Sequence, residues 1–159
     1  MRFASAKLGP LRLAVLGRNS EIAGNLFREK LSGTPVEVEI HGLLTAEEIV
    51  RKLGASDVLL FAEGPISTRR GSALAGIACG LPVIAAQGWE TAAPITEAGV
   101  VLLPEDSDSE FGPALVRVLS DSAYRESLRK RSRQAHQRHF SWAVIAAQYV
   151  STLRKRGEN

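Results

Sequence analysis

Two apolar runs, Asp57 to Ala62 and Leu81 to Ala86, constrain this chain more than any other part of it. Each is short and nearly free of polar residues, the pattern of a parallel strand covered on both faces. Between them lie Glu63-Gly-Pro-Ile-Ser-Thr-Arg-Arg-Gly-Ser72 and then a segment of small residues, Ala73-Leu-Ala-Gly-Ile-Ala-Cys-Gly80. Strand, loop, helix and strand make a βαβ unit, and its crossover is expected to be right-handed. The loop falls where the first strand ends and the helix begins, which is where such sheets bind ligands.

The flanking sequence repeats the alternation. Leu11 to Leu16 reads as a strand ending at Gly17. Asn19 or Ser20 then caps a helix with Ile22, Leu26, Phe27 and Leu31 at helical spacing, and Ser32-Gly33-Thr34-Pro35 ends it. Val36 to Ile40 alternates apolar and charged residues, the period of a strand with one wet face near a sheet edge. Thr45 and Glu48 form a capping box for a helix that buries Ile49, Val50 and Leu53. Beyond the central unit, Gly88 to Gly99 reads as a loop with one helical turn, and Val100 to Leu103 as the last strand. Asp106, Ser107, Asp108 and Ser109 start a helix with Phe111, Leu115, Val118 and Leu119 on one face, acidic residues suiting its first turn. Ser122 to His139 and Ser141 to Leu153 predict two more helices, whereas Met1 to Pro10 carries no pattern. Five strands alternating with helices predict a Rossmann-like α/β fold, a three-layer parallel sheet with helices on both faces. The 159 residues are expected to form a single domain, with residues 1–10 and 154–159 peripheral.

Composition narrows the function classes. No apolar run approaches the roughly 20 residues that a membrane-spanning helix requires. No charged-then-apolar leader precedes the first strand, so a cytoplasmic location is expected. Cys79 is the single cysteine, so no internal disulfide forms; inside a small-residue helix it reads as packing rather than as a nucleophile. The net charge of +3 is uneven: from Ala123 onward nine Lys/Arg face only Glu126 and Glu158. A solvated helix face is the simplest reading of this basic tail. An anionic membrane surface at the cytoplasmic face, or an acidic partner, is the sharper one. Nucleic acid is not expected, because no aromatics interleave with the cations and no recognition motif accompanies them. His41, His136 and His139 lack metal-ligand spacing, so no metal is expected.

The Ser67 to Ser72 loop is the leading candidate site. A helix start offers unpaired N–H groups and partial positive charge, which suit an anion. Arg69 and Arg70 add planar donors matched to phosphate oxygens, and Gly71 permits close backbone approach. Ser67, Thr68, Arg69, Arg70, Gly71 and Ser72 are therefore candidate phosphate or diphosphate ligands; the alternative is a surface loop whose arginines pair with nearby carboxylates. Gly17-Arg18-Asn19-Ser20 also ends a strand and starts a helix, which makes Arg18 a further anion candidate. It is not a Gly-x-Gly-x-x-Gly fingerprint, and no dinucleotide cofactor is expected.

From about Leu11 to Leu153 these pieces resemble the C-terminal half of a retaining GT-B glycosyltransferase of family 4, or group 1. The matching segments occur in the family's order: the strand ending in Gly17; Val36 to Gly42 followed by Thr-Ala-Glu-Glu-Ile; Ala55-Ser-Asp-Val-Leu-Leu60; Ala78-Cys-Gly-Leu-Pro-Val-Ile84; Glu97-Ala-Gly-Val-Val-Leu-Leu-Pro104; and Phe140-Ser-Trp142 before the last helix. Ile66 to Ser72 is similar to a variant subgroup with Ser-x-Arg-Arg-Gly-Ser in this loop. The resemblance implies a half that binds a nucleotide-diphosphate sugar, with the loop at Ser67 to Ser72 on the diphosphate. Gly17, Gly42 and Leu43 would border the nucleotide, and the acceptor would sit on an N-terminal half that is missing here. Alone, the chain is expected to be inactive in transfer.

Two departures accompany the resemblance. The family's paired glutamates, seven residues apart, fall at Ser67 and Ala75, so both are replaced. The family's Arg and Lys on a preceding strand and helix fit two registers. Either Gly17 ends the second strand and the first βα unit lies before Met1, or Gly17-Arg18 is the Arg motif and Ala23 replaces the Lys. In the first and preferred register a central strand is lacking. The remaining strands then close up in the order 2-1-3-4-5, or another chain fills the gap. A non-catalytic interaction module with a degenerate donor site and the basic tail as its working surface is the alternative function.

Overall fold

The computed structural model describes residues 1–105 and 108–157. The elements are α1 (Arg2–Leu8), β1 (Leu11–Leu16), α2 (Ser20–Lys30), β2 (Val36–Gly42), α3 (Ala46–Gly54), β3 (Leu59–Phe61), α4 (Gly71–Ala78), β4 (Val83–Ala86), β5 (Val100–Leu103), α5 (Asp108–Ser120), α6 (Ser122–Ala135) and α7 (Trp142–Gly157). A 3-10 turn at Ile95–Glu97 precedes β5, and a π turn at His136–Phe140 joins α6 to α7.

Side-chain alternation along β3, β4 and β5 builds the core. Phe61, Val83, Ala85 and Val100 face one layer, where they meet Ala73 and Ile77 of α4, Ile95, Ala98 and Ala135. Ile84 and Leu103 face the other, against Ala4 of α1, Leu115 and Val118 of α5, and Leu128 of α6, with Leu60 and Val101 packed beside them. Helices thus cover both faces, as the apolar runs predicted. Each buried branched side chain contributes roughly 1.5–3 kcal/mol. β5 approaches α6 so closely that a Cβ on Gly99 would lie 2.0 Å from the Leu128 carbonyl oxygen.

The strands form two parallel sheets, β1–β2 and β3–β4–β5. The expected closure into one 2-1-3-4-5 sheet does not occur. β1 and β3 share side-chain packing instead, since Leu11, Val58 and Leu60 all rest on the Ala4–Ile84 cluster. Residues 1–10 are not peripheral: Ala4 is fully buried, and Arg2 donates through Nε to the Lys30 carbonyl at 2.7 Å. α1 escaped the sequence reading because the residues it buries, Ala4 and Ser5, are small and make no apolar stripe.

Three local expectations also change. On α2 the buried residues are Ser20, Gly24 and, just beyond its end, Leu31, whereas Ile22 is 74% exposed and Leu26 and Phe27 are exposed as well. A Cβ on Gly24 would lie 2.4 Å from the Ile40 side chain, so α2 seats its glycine face on the sheet and turns its apolar stripe outward. Neither Asn19 nor Ser20 caps α2 through its side chain; Ser20 Oγ accepts from the Gly42 N–H at 2.9 Å. The Thr45/Glu48 capping box forms, and α3 buries Leu53 while Val50 stays exposed. α6 ends at Ala135, four residues before the predicted His139, in the π turn. The expected acidic start at Asp106 and Ser107 lies outside the described residues. No helix among the described residues is long and apolar enough to cross a membrane. α7 presents Trp142 (85% exposed), Ile145, Tyr149 and Leu153 at one-face spacing to solvent.

Candidate functional site

After β3 the chain turns at Gly64, whose φ of +76° lies in the region that favours glycine, and enters the Pro65–Arg70 loop. Ile66 anchors this loop from below. It is fully buried, its N–H donates to the Ala86 carbonyl at 2.9 Å, and its carbonyl accepts from Thr91 Oγ1 at 2.6 Å. The loop is thereby tied to the carboxyl end of β4. Ser67 is 4% exposed; its Oγ accepts from the Arg69 N–H at 3.4 Å and its carbonyl from the Arg70 N–H at 3.1 Å. Of the predicted loop ligands, Ser67 is thus an internal brace, whereas Thr68, Arg69, Arg70, Gly71 and Ser72 all face solvent.

α4 starts at Gly71, and no side chain caps it. Its first-turn N–H groups are free of side-chain acceptors at the point where the two arginines stand, an arrangement that attracts anions. Arg70 Nε donates to the Pro65 carbonyl at 3.4 Å. Arg69 forms an ion pair with Glu90, in the loop that follows β4. Beside Glu90, Trp89 is 91% exposed. Sequence reasoning passed over Trp89 and Glu90; the signal was their place just past the carboxyl end of a buried parallel strand. α4 rests tightly on the sheet, since a Cβ on Gly76 would lie 2.6 Å from Leu59 Cδ2.

The second cluster sits at the carboxyl ends of β1 and β2. Gly17 (φ +101°) and Gly42 (φ +64°) are joined by the Gly17 N–H donating to the Gly42 carbonyl at 2.8 Å. Arg18 and Leu43 flank this junction and are exposed. Among the described residues, no hydrogen bond or ion pair links this cluster to the Ser67–Ser72 loop. Just before Gly42, Glu39 meets His41 Nε2 at 2.9 Å and Lys52 Nζ at 3.3 Å. The His41 hydrogen bond, and next that of Lys52, hold the Glu39 carboxyl below its ordinary range.

The remaining candidates behave as structural groups. Burial pushes the Cys79 thiol up, away from nucleophile chemistry. His139 Nε2 lies 3.0 Å from Glu97 Oε2. No group of three or more potential metal ligands occurs among the described residues.

No family model matches the chain, and no curated protein matches it. Solved structures do. The glycosyltransferase WaaG, involved in lipopolysaccharide biosynthesis, aligns over 86% of this chain at 20% identity with a TM-score of 0.66. Sucrose-phosphate synthase from Thermosynechococcus elongatus aligns over 99% of it at 22% identity and TM-score 0.69. HepE from Anabaena, in complex with UDP, aligns over 91% at 18% identity and TM-score 0.70. The chain spans 36%, 49% and 41% of those three structures, respectively. The chain therefore shares the Rossmann-like α/β fold of a part of each of these structures.

Proposed function

We propose that this chain is the nucleotide-sugar donor-binding domain of a GT-B glycosyltransferase. The observation that carries the reading is the uncapped start of α4 beneath exposed Arg69, Arg70, Gly71 and Ser72, at the carboxyl end of β3. HepE, which is similar in fold, has been solved with UDP and also with UDP and glucose. In the full enzyme Thr68, Arg69, Arg70 and the first N–H groups of α4 hold the donor diphosphate. They stabilise the charge that grows on it as the sugar departs, the kind of fixed dipole that supplies much of a transfer enzyme's rate. Arg18 adds a cation from the second cluster, and Gly17, Gly42 and Leu43 border the nucleotide. Such enzymes hold the acceptor on a second half, so this domain by itself is expected to have negligible transfer activity. Its place is the cytoplasm.

Titration calorimetry with UDP, GDP and ADP tests the reading. Saturable binding of at least one is expected, weakened at least tenfold by Arg69→Ala or Arg70→Ala. Absence of binding at millimolar nucleotide, or unchanged affinity in both variants, would overturn it.

A second reading has its own support. The two positions where the resemblance places glutamates hold the buried Ser67 and the carboxylate-free Ala75, while α7 turns an apolar face to solvent beside a basic tail. On this reading the chain is a non-catalytic interaction module that meets an anionic membrane surface. Salt-sensitive pelleting with phosphatidylserine vesicles, together with no nucleotide binding, would favour it.

A further inference from the structure

We propose that the outer edge of β5 and the flank of α5 above it form an interface between two copies of this chain, related by a two-fold axis that pairs β5 antiparallel with itself. β5 ends the β3–β4–β5 sheet, so one of its edges has no strand beside it among the described residues. The Val83 N–H donates to the Gly99 carbonyl at 2.9 Å, and the Gln87 N–H to the Leu103 carbonyl at 2.7 Å. Backbone groups alternate sides along a parallel strand. Val101 and Leu103 therefore serve β4, while Val100 and Leu102 aim their N–H and C=O groups outward. Exposed edges are commonly blunted by a charge, a proline or a bulge. Val100-Val-Leu-Leu103 has none of these and pairs with β4 in unbroken register.

α5 decides what that edge can meet. Its core side carries Leu115 and Val118, which pack with Ile84 of β4 and Leu103 of β5. α1 holds one flank, where a Cβ on Gly112 would lie 3.0 Å from the Phe3 side chain. The opposite flank borders a cleft of about 370 Å³, with Glu110, Pro113, Ala114 and Arg117 as its wall and Val101 and Leu103 as its floor. Rotation about an axis through the β5 edge, normal to the sheet, lays a second α5 antiparallel to the first on the same face. α5 rests on both β4 and β5, so its axis stands roughly one strand spacing, about 5 Å, from the seam. The two helices then lie about 10 Å apart, the separation of packed helices. Pro113 and Ala114, the small middle of the stripe, permit that approach. The stripe's ends complement each other, because Glu110 of each copy lies opposite Arg117 of the other. Among the described residues neither has an ion-pair partner within the chain; Arg117 stands over the Tyr124 ring, 4.1 Å from its centroid. Exchange of N–H and C=O between Val100 and the partner's Leu102, in both directions, centres the axis on Val101. A second copy fits this edge better than an unrelated strand, because one stripe supplies both charges in self-complementary order. The inference is independent of the donor-site reading, since that loop lies beyond β3 and β4.

Sedimentation equilibrium of the full chain, from micromolar to millimolar concentration, tests the interface. The seam joins two short strands and two helix flanks, so a weak, concentration-dependent dimer is expected. Glu110→Arg and Arg117→Glu should each weaken it at least tenfold, because the two-fold axis makes both facing pairs repulsive in either variant. The double variant should regain the affinity of the unaltered chain. So should an equimolar mixture of the two single variants, in which one copy carries two cations on the stripe and the other two anions. In the unaltered chain, hydrogen exchange at the Val100 and Leu102 amides should slow at least tenfold as the dimer forms. A monomer at every concentration overturns the proposal and leaves the edge to a different polypeptide. A dimer indifferent to the charge reversals overturns it, as does one whose exchange slows on α7 while Val100 and Leu102 stay unchanged. Should a single variant fail to fold by circular dichroism, the exchange of the unaltered chain decides alone.

Discussion

The three-stranded and two-stranded sheets start from comparable sequence and end in different environments. β4 (Val83–Ala86) has a neighbour on each side and helices on both faces, and Val83, Ile84 and Ala85 are fully buried. β1 is as apolar at Leu11, Leu13, Val15 and Leu16, yet none of these is fully buried. β1 has one neighbour, and α2 gives it little cover because that helix seats Gly24 over Ile40 of β2. Strand composition sets what a segment is able to bury; the number of layers and neighbours around it sets what it does bury. The donor-site candidates divide along the same line, with Ser67–Ser72 rooted in the sealed unit and Gly17, Arg18, Gly42 and Leu43 in the open one.

The largest expected effect that sharpens this contrast is a paired truncation. Ile84→Ala should destabilise the chain by about 2–5 kcal/mol, the usual cost of emptying a sealed core position. Leu13→Ala should cost less than half as much in the same urea titration, and equal costs would erase the distinction between the units. Gly99→Ala comes next. Its Cβ would press on the Leu128 backbone, and a loss of about 1–3 kcal/mol is expected, read as a lower urea midpoint with an unchanged slope. A silent substitution would mean that α6 can move off β5. On the open unit, Ile22→Ser should change stability by no more than about 0.5 kcal/mol despite removing a large apolar side chain. A larger loss would show that the α2 stripe is covered in solution.

The smallest effect is electrostatic. Glu39 is held below its ordinary pKa, so the stability it adds is present above the ordinary carboxylate value, near pH 4, and is lost as pH falls through its lowered folded value. Glu39→Gln should cost less than about 1 kcal/mol at pH 7, as partly exposed pairs do. It should also flatten the loss of stability below pH 4; identical pH profiles for the two proteins would remove the contribution.

Particular residues show why some of this was legible beforehand. The Asp57–Ala62 and Leu81–Ala86 runs announced buried parallel strands because a strand covered on both faces has no polar period to hide. Thr45 and Glu48 announced a helix start because a capping box is local chemistry. Ile22, Leu26 and Phe27 pointed to the wrong face of α2: periodicity marks an apolar stripe, but close approach is decided by a small residue, here Gly24, and by a partner far along the chain. α1 buries Ala4 and Ser5, which carry no periodic signal at all. The loop at Ser67–Ser72 was readable as a place, since strand ends and helix starts are local. Its Arg69–Glu90 ion pair, and the burial of Ser67, come from tertiary folding that places the β4 loop beside it.

The two tryptophans have a practical bearing on all of these measurements. Trp89 and Trp142, the only indoles in the chain, stand 91% and 85% exposed. Their emission in the folded state should already lie near that of indole in water, so unfolding will shift it little, and intrinsic fluorescence is a poor gauge of whether the core is intact. Trp89 sits next to Glu90, the partner of Arg69, so a ligand that displaces that pair would alter its quenching. In a Trp142→Phe background the same signal becomes an optical readout of occupancy at the α4 start, separate from folding.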